Sequence, residues 1–247
     1  MDEMIYIAMT GAKQTEYAQA INSNNLANIS TTGFRADLHS FSSTPIEGPG
    51  VDSRVNAVVD SYGTDMAQGP IMNTGRDFDV AVKGDGFIAV QAPDGREAYT
   101  RAGDLRVDAA SGLLMTGAGH LVMGNSGPIA LPPTEKRDIA PDGTISVQPV
   151  GTGPEALTIA DRIKLVNPDP ALVYKGEDGL FYLQDDAIAD ADASVQVQNG
   201  ALERSNVNVA KTLVNMIELA RQYEMQVNLI KTSEENADSA AQMLRLG

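Results

Sequence analysis

Residues 209–230, VAKTLVNMIELARQYEMQVNLI, place apolar side chains on a heptad period. Val209, Leu213, Met216, Ala220, Tyr223, Val227 and Ile230 recur at spacings of four and three, the repeat of a helix that lays a seam against another helix. Ala237, Ala241 and Leu244 continue the series, and only Glu234 interrupts it. Either Asn206 or Asn208 can cap the start of this helix. At the other end of the chain, residues 2–28 read as a second helix, with Asp2 as a suitable N-cap and no proline to break the run. Its apolar residues cover more than one face. Ile5, Ala8, Met9 and Ala12 form one stripe, while Met4, Ile7, Ala18 and Ile21 extend around it, a distribution that calls for neighbours on several sides. The two ends are therefore expected to pair as a coiled coil.

The middle of the chain has a different pattern. Residues 34–75 are weakly patterned and broken by Pro45, Gly48, Pro49 and Gly50, with one short strand expected at Val55–Val59. Such a length of irregular chain is long for a loop inside a domain, so it is read as an extended linker that orders against partners. From residue 76 onward the apolar period becomes two. Phe78, Val80 and Val82 alternate with polar or small residues as in a half-buried strand. Short alternating runs follow at Leu105/Val107, Leu121/Met123, Ile145/Val147, Ile163/Leu165 and Phe181/Leu183, separated by Asp-Gly and Ser-Gly turns. This is the signature of an all-β domain. The fold class is thus α+β: an N-terminal helix (1–33), a linker (34–75), a central β domain (76–200) and a C-terminal helix (201–247).

A formal charge of -15 and a pI near 4.4 argue against nucleic acid as a partner, because phosphate binding needs a basic surface. The chain has no cysteine, hence no disulfide framework and no thiolate chemistry. No apolar run approaches the ~20 residues that cross a bilayer, and Asp2 and Glu3 stand where a signal peptide carries basic residues. Catalysis finds no support. His39 and His120 lack partners at metal-ligand spacing, no nucleophile elbow or phosphate loop is present, and Asp185, Asp186, Asp190 and Asp192 lack the spacing of a calcium loop. No cofactor, no metal and no enzymatic activity are expected.

Four segments, in order, resemble the flagellar rod, hook and hook-associated axial proteins. They are Asn24-Asn25-Leu26-Ala27-Asn28 followed by Ser30-Thr31-Thr32-Gly33-Phe34; Asp79-Val80-Ala81-Val82-Lys83-Gly84-Asp85-Gly86-Phe87; Tyr99-Thr100-Arg101-Ala102-Gly103; and Leu202-Glu203-Arg204-Ser205-Asn206-Val207-Asn208-Val209. Within that family, Ile5-Tyr6-Ile7-Ala8-Met9 and Leu219-Ala220-Arg221-Gln222-Tyr223-Glu224-Met225-Gln226 are most similar to proximal rod subunits.

The resemblance implies a structural subunit of the bacterial flagellar basal-body rod. It would be exported through the flagellar type III apparatus without a cleaved signal peptide, and would assemble with copies of itself and with other proximal and distal rod proteins. Neither nucleic acid nor membrane insertion enters that role. The expected assembly interface comprises Ile5, Ala8, Met9, Ala12, Asn24, Asn25, Leu26, Asn28, Phe34 and Phe41 on the N-terminal side. On the C-terminal side it comprises Val209, Leu213, Met216, Ala220, Tyr223, Val227 and Ile230. The amides are equally suited to capping the helix within the chain or to hydrogen bonding between subunits. Arg35 and Arg101 read as surface charges. The alternatives are a distal rod subunit, or a monomeric acidic β-domain binding module on a helical stalk.

Overall fold

Helix α1 (Asp2–Ala27) and helix α2 (Val209–Arg245) occupy the two ends of the computed structural model, which describes residues 2–45, 55–149 and 157–245. α2 starts where Asn208 caps it: the Asn208 side-chain oxygen accepts the Lys211 N–H at 3.1 Å. Asn206 is spent elsewhere, accepting the Ala36 N–H and donating to the Ala67 carbonyl. The chain divides into two compact units, one of residues 1–28, 37–65 and 207–247, the other of residues 29–36 and 66–206.

In the first unit α1 and α2 pack side by side and antiparallel. Asn22 of α1 donates to the Thr212 carbonyl near the start of α2 at 2.8 Å, while Gly11, about three turns earlier in α1, faces the Gln226 side chain further along α2. Strands β1 (Asp37–Pro45) and β2 (Val55–Thr64) pair antiparallel in register from Asp37↔Thr64 to Pro45↔Val55, with a bulge between Ser40 and Phe41. A hairpin thus stands where an extended linker was expected. Its alternation is hard to read because β1, Asp-Leu-His-Ser-Phe-Ser-Ser-Thr-Pro, is almost wholly polar. Its strands pair through the backbone, and Asn25 of α1 joins its start: the Asn25 amide accepts the Asp37 N–H and donates to the Asp37 carbonyl, both at 2.8 Å.

The second unit is all β. Its strands are β3 (Ile71–Asn73), β4 (Val80–Lys83), β5 (Phe87–Gln91), β6 (Glu97–Thr100), β7 (Leu105–Val107), β8 (Leu114–Thr116) and β9 (Leu121–Val122). They continue as β10 (Thr134–Ile139), β11 (Thr144–Pro149), β12 (Thr158–Arg162), β13 (Leu165–Val166), β14 (Val173–Lys175), β15 (Phe181–Leu183), β16 (Gln196–Asn199) and β17 (Ala201–Glu203). The main sheet runs β14-β15-β6-β5-β9-β8-β7, with β13 also on β5; β10-β11-β12 form a second sheet, and β16-β4 and β17-β3 are two-stranded.

Period-two alternation explains the packing. Ile88 and Val90 of β5 enter one apolar cluster with Val80, Val82, Leu105, Leu114, Val122, Ile145 and Ile163. Phe87 and Ala89 point the other way, into a second cluster with Tyr99, Val166, Phe181 and Leu183. β4 was read as half-buried, but Ala81 on its other face is as buried as Val80 and Val82.

Candidate assembly surfaces and the node between segments

Two arrangements carry the functional content. The first is the distribution of side chains on the helices. The face of α1 turned inward consists of Ala8, Thr15, Ala18, Asn22 and Asn25, all buried and spaced 7, 3, 4 and 3. On α2 the buried positions among the described residues are Thr212, Leu219 and Ser233, with Gln226 half-buried between them, at intervals of seven. This line lies one residue ahead of the Leu213, Ala220 and Val227 positions of the apolar heptad read from the sequence. Mostly small and polar residues, with Leu219 as the large apolar exception, therefore line the contact between the two helices. A Cβ at Gly11 would lie 2.9 Å from the Gln226 side chain, so glycine there permits the close approach.

Many of the large apolar side chains face outward. Val209, Leu213, Val214, Ile217, Tyr223, Met225 and Leu229 of α2 are exposed, as are Tyr6, Met9 and Tyr17 of α1. Among the residues expected at an assembly interface, Met9, Val209, Leu213, Tyr223 and Asn24 are thus exposed; Ile5, Ala12, Leu26, Asn28, Met216, Ala220, Val227 and Ile230 are half-buried; Ala8 and Asn25 are buried within the chain. Of the amides, Asn25 is consumed by Asp37, and Asn28 donates to the Asn24 carbonyl at 3.0 Å. Phe34 has one ring face covered within its own unit by the Lys175 ammonium, 3.9 Å from the centroid. The side chain of Phe41 lies outside the described residues.

The second arrangement was not anticipated. Arg35 and Arg101 are not surface charges: their side chains are 1% and 3% exposed, and both guanidiniums meet the carboxylate of Glu203, which is 0% exposed. Arg35 Nη1 donates to Glu203 Oε1, which also accepts the Gly69 N–H at 2.9 Å; Arg101 Nη1 donates to Oε2 at 3.2 Å. The Glu203 carbonyl accepts the Gly33 N–H at 2.8 Å. Gly33 takes φ +67°, and a Cβ there would lie 2.2 Å from the Arg101 carbonyl carbon, so only glycine fits. Arg101 also lies over the Phe87 ring at 5.2 Å.

Burial holds the Arg101 guanidinium below its usual pKa, opposed by Glu203 and reinforced by Arg35. The motif segments around Gly33-Phe34-Arg35, Tyr99-Thr100-Arg101 and Leu202-Glu203-Arg204, far apart in sequence, converge on this one carboxylate. Sequence reasoning located each segment but not their meeting, because a burial-dependent ion pair leaves no periodic trace. Among the described residues no group of three or more His, Cys, Asp or Glu is disposed to hold a metal ion, and no helix is long and apolar enough to cross a membrane. In the acidic connector, Asp186 is paired by Arg96 at 2.6 Å.

Three family models match the chain. The flagella basal body rod protein model covers residues 5–35, the flagellar hook protein FlgE/F/G D1 domain residues 81–147, and the flagellar basal body rod FlgEFG protein C-terminal model residues 198–243. The chain is 40% identical to the flagellar basal-body rod protein FlgF of Escherichia coli over 252 residues, covering 100% of each, and equally to that of Salmonella typhimurium. It is 32% identical to the flagellar basal-body rod protein FlgG of Buchnera aphidicola subsp. Schizaphis graminum, over 97% of this chain and 98% of that one. Full-length matches to rod proteins agree with a structural rather than an enzymatic role. Together with the converging motif segments, they establish that the chain belongs to the family of flagellar basal-body rod proteins, as a structural subunit most like its FlgF members.

Proposed function

We propose that this subunit builds the proximal rod, the torque-transmitting shaft, by polymerising through the outward apolar faces of its paired terminal helices. The observation that carries the reading is the partial inversion of the helix pair: mostly small and polar residues with Leu219 inside, and many large apolar side chains outside. Burying each such side chain fully is worth roughly 1.5–3 kcal/mol. Leu213, Val214, Ile217, Met225 and Leu229 remain half-exposed in the single chain, so much of that free energy is available only in an assembly. α1 and α2 present different outer faces. A contact between unlike faces is head-to-tail and, when it does not close, propagates as a helical filament. In this reading the helices of neighbouring subunits complete the coiled-coil seam, with Val209, Leu213 and Tyr223 as knobs.

The partners are further copies of this chain and the adjoining proximal and distal rod proteins, reached after export through the type III apparatus without a cleaved signal. The site is the periplasm-spanning basal body. The test is assembly at high protein concentration, with and without purified basal bodies as seeds, observed by electron microscopy and sedimentation. Ordered filaments or seed extension by the wild type, lost in Leu213→Asp and Ile217→Asp, are expected. A wild type that stays monomeric under all these conditions would favour the binding-module alternative.

A further inference from the structure

The node at Glu203 does not balance. Two guanidiniums, 1% and 3% exposed, share one carboxylate, so Glu203 alone cannot neutralise both. Asp85 also acts on Arg101, but from an exposed turn. Hydrogen bonding is incomplete as well: Arg35 Nη2 and Arg101 Nε are buried and have no hydrogen-bond partner. The two guanidiniums grip the two oxygens of a single carboxylate, so their unused donors lie within a few ångströms of the same group. A buried guanidinium donor without an acceptor is costly, and a buried unpaired charge more so.

From the two unpartnered buried donors and the excess positive charge around Glu203, we propose that the node binds a small inorganic monovalent anion of the chloride class between Arg35 and Arg101. A water molecule would satisfy the donors and leave the charge; a small anion satisfies both. The burial of all three side chains excludes a carboxylate delivered by another macromolecule. The ion would complete the fastening of the four segments that meet here, around Gly33–Arg35, Gly69, Arg101 and Glu203. This goes beyond assembly and does not depend on it.

The test uses the purified full chain at constant ionic strength, with chloride exchanged for gluconate, so that general screening of a -15 protein is the same in every sample. Thermal unfolding is followed, together with the 35Cl nuclear-relaxation line width. The wild type should show a saturable rise in unfolding midpoint of about 2–4 °C with chloride and saturable 35Cl broadening. Arg101→Met leaves a neutral Arg35–Glu203 pair and should abolish both responses. Arg106→Met, which removes an exposed guanidinium, should keep them. Equal midpoints in chloride and gluconate with no 35Cl broadening would overturn the proposal, as would a chloride response that persists in Arg101→Met. Should that variant fail to fold, the wild-type line width, compared with Arg106→Met, decides alone.

Discussion

Glu203 is a single residue on which several backbone and side-chain donors depend. Removing it leaves two buried guanidiniums without an acceptor, and breaking a buried ion pair from one side costs about 3–5 kcal/mol. Glu203→Ala should therefore lower the stability of the β unit by that amount in urea unfolding, whereas the exposed Arg106→Ala should change it by less than ~0.5 kcal/mol. Gly33→Ala is expected to be destabilising despite its size, because the left-handed backbone and the 2.2 Å approach to Arg101 both oppose a Cβ.

Asp104 gives the opposite sign. Burial raises its carboxyl pKa, with Asp79 adding repulsion. The folded state then holds the proton more readily than the unfolded state. The cost of the charge is present in full at neutral pH and is relieved as pH falls through the raised value. Asp104→Asn should thus stabilise the chain at neutral pH, and the gap between variant and wild type should close on acidification; a gap that widens in acid would refute the assignment.

At the scale of the element, the proposed assembly face of α2 and its buried folding contacts fall on different residues. Leu219 is buried and Leu213 is exposed six residues earlier on the same helix. Leu219→Asp should strip the helical circular dichroism of the monomer at lower temperature, since a charge buried there has no partner. Leu213→Asp should leave monomer unfolding within ~0.5 kcal/mol of wild type and still abolish swimming. Normal motility of Leu213→Asp would remove this face from assembly.

The same elements mark how far the sequence could be read. Both helices and most strands of the β unit were legible, since Ile145/Val147 or Phe181/Leu183 alternate as the pleat demands. The apolar heptad of α2 was legible too, but it is offset from the line that meets α1, because apolar periodicity cannot say whether its partner is the same chain or another. β1 escaped because Ser40, Ser42, Ser43 and Thr44 carry no apolar alternation. Arg35 and Arg101 looked like surface charges because arginine rarely enters a core without a partner, and the partner, Glu203, lies over a hundred residues away in sequence from either.

For the whole molecule, the two units distribute distinct tasks. Residues 29–36 belong to the β unit, while residues 37–65 belong with the terminal helices. The stretch 34–75, read as one linker from the sequence, is therefore divided into three segments between the two units, and its central segment carries the hairpin of β1 and β2. The exposed apolar side chains proposed to meet neighbours, such as Leu213, Val214 and Ile217, suit any apolar face and have little chemistry with which to distinguish one axial protein from another. Hairpin and loop side chains vary freely over a fixed scaffold and are better placed to select neighbours. Exchanging residues 37–65 for the corresponding segment of a FlgG-type rod protein should accordingly leave the β unit folded, because neither Glu203 nor its partners lie in that segment. Thermal unfolding of the isolated subunit should keep its main transition. Basal bodies imaged from the exchange strain should stop at the proximal rod or carry misordered subunits. Complete rods bearing hooks at wild-type frequency would show that the hairpin is passive and that neighbour selection resides in the outer faces of α1 and α2.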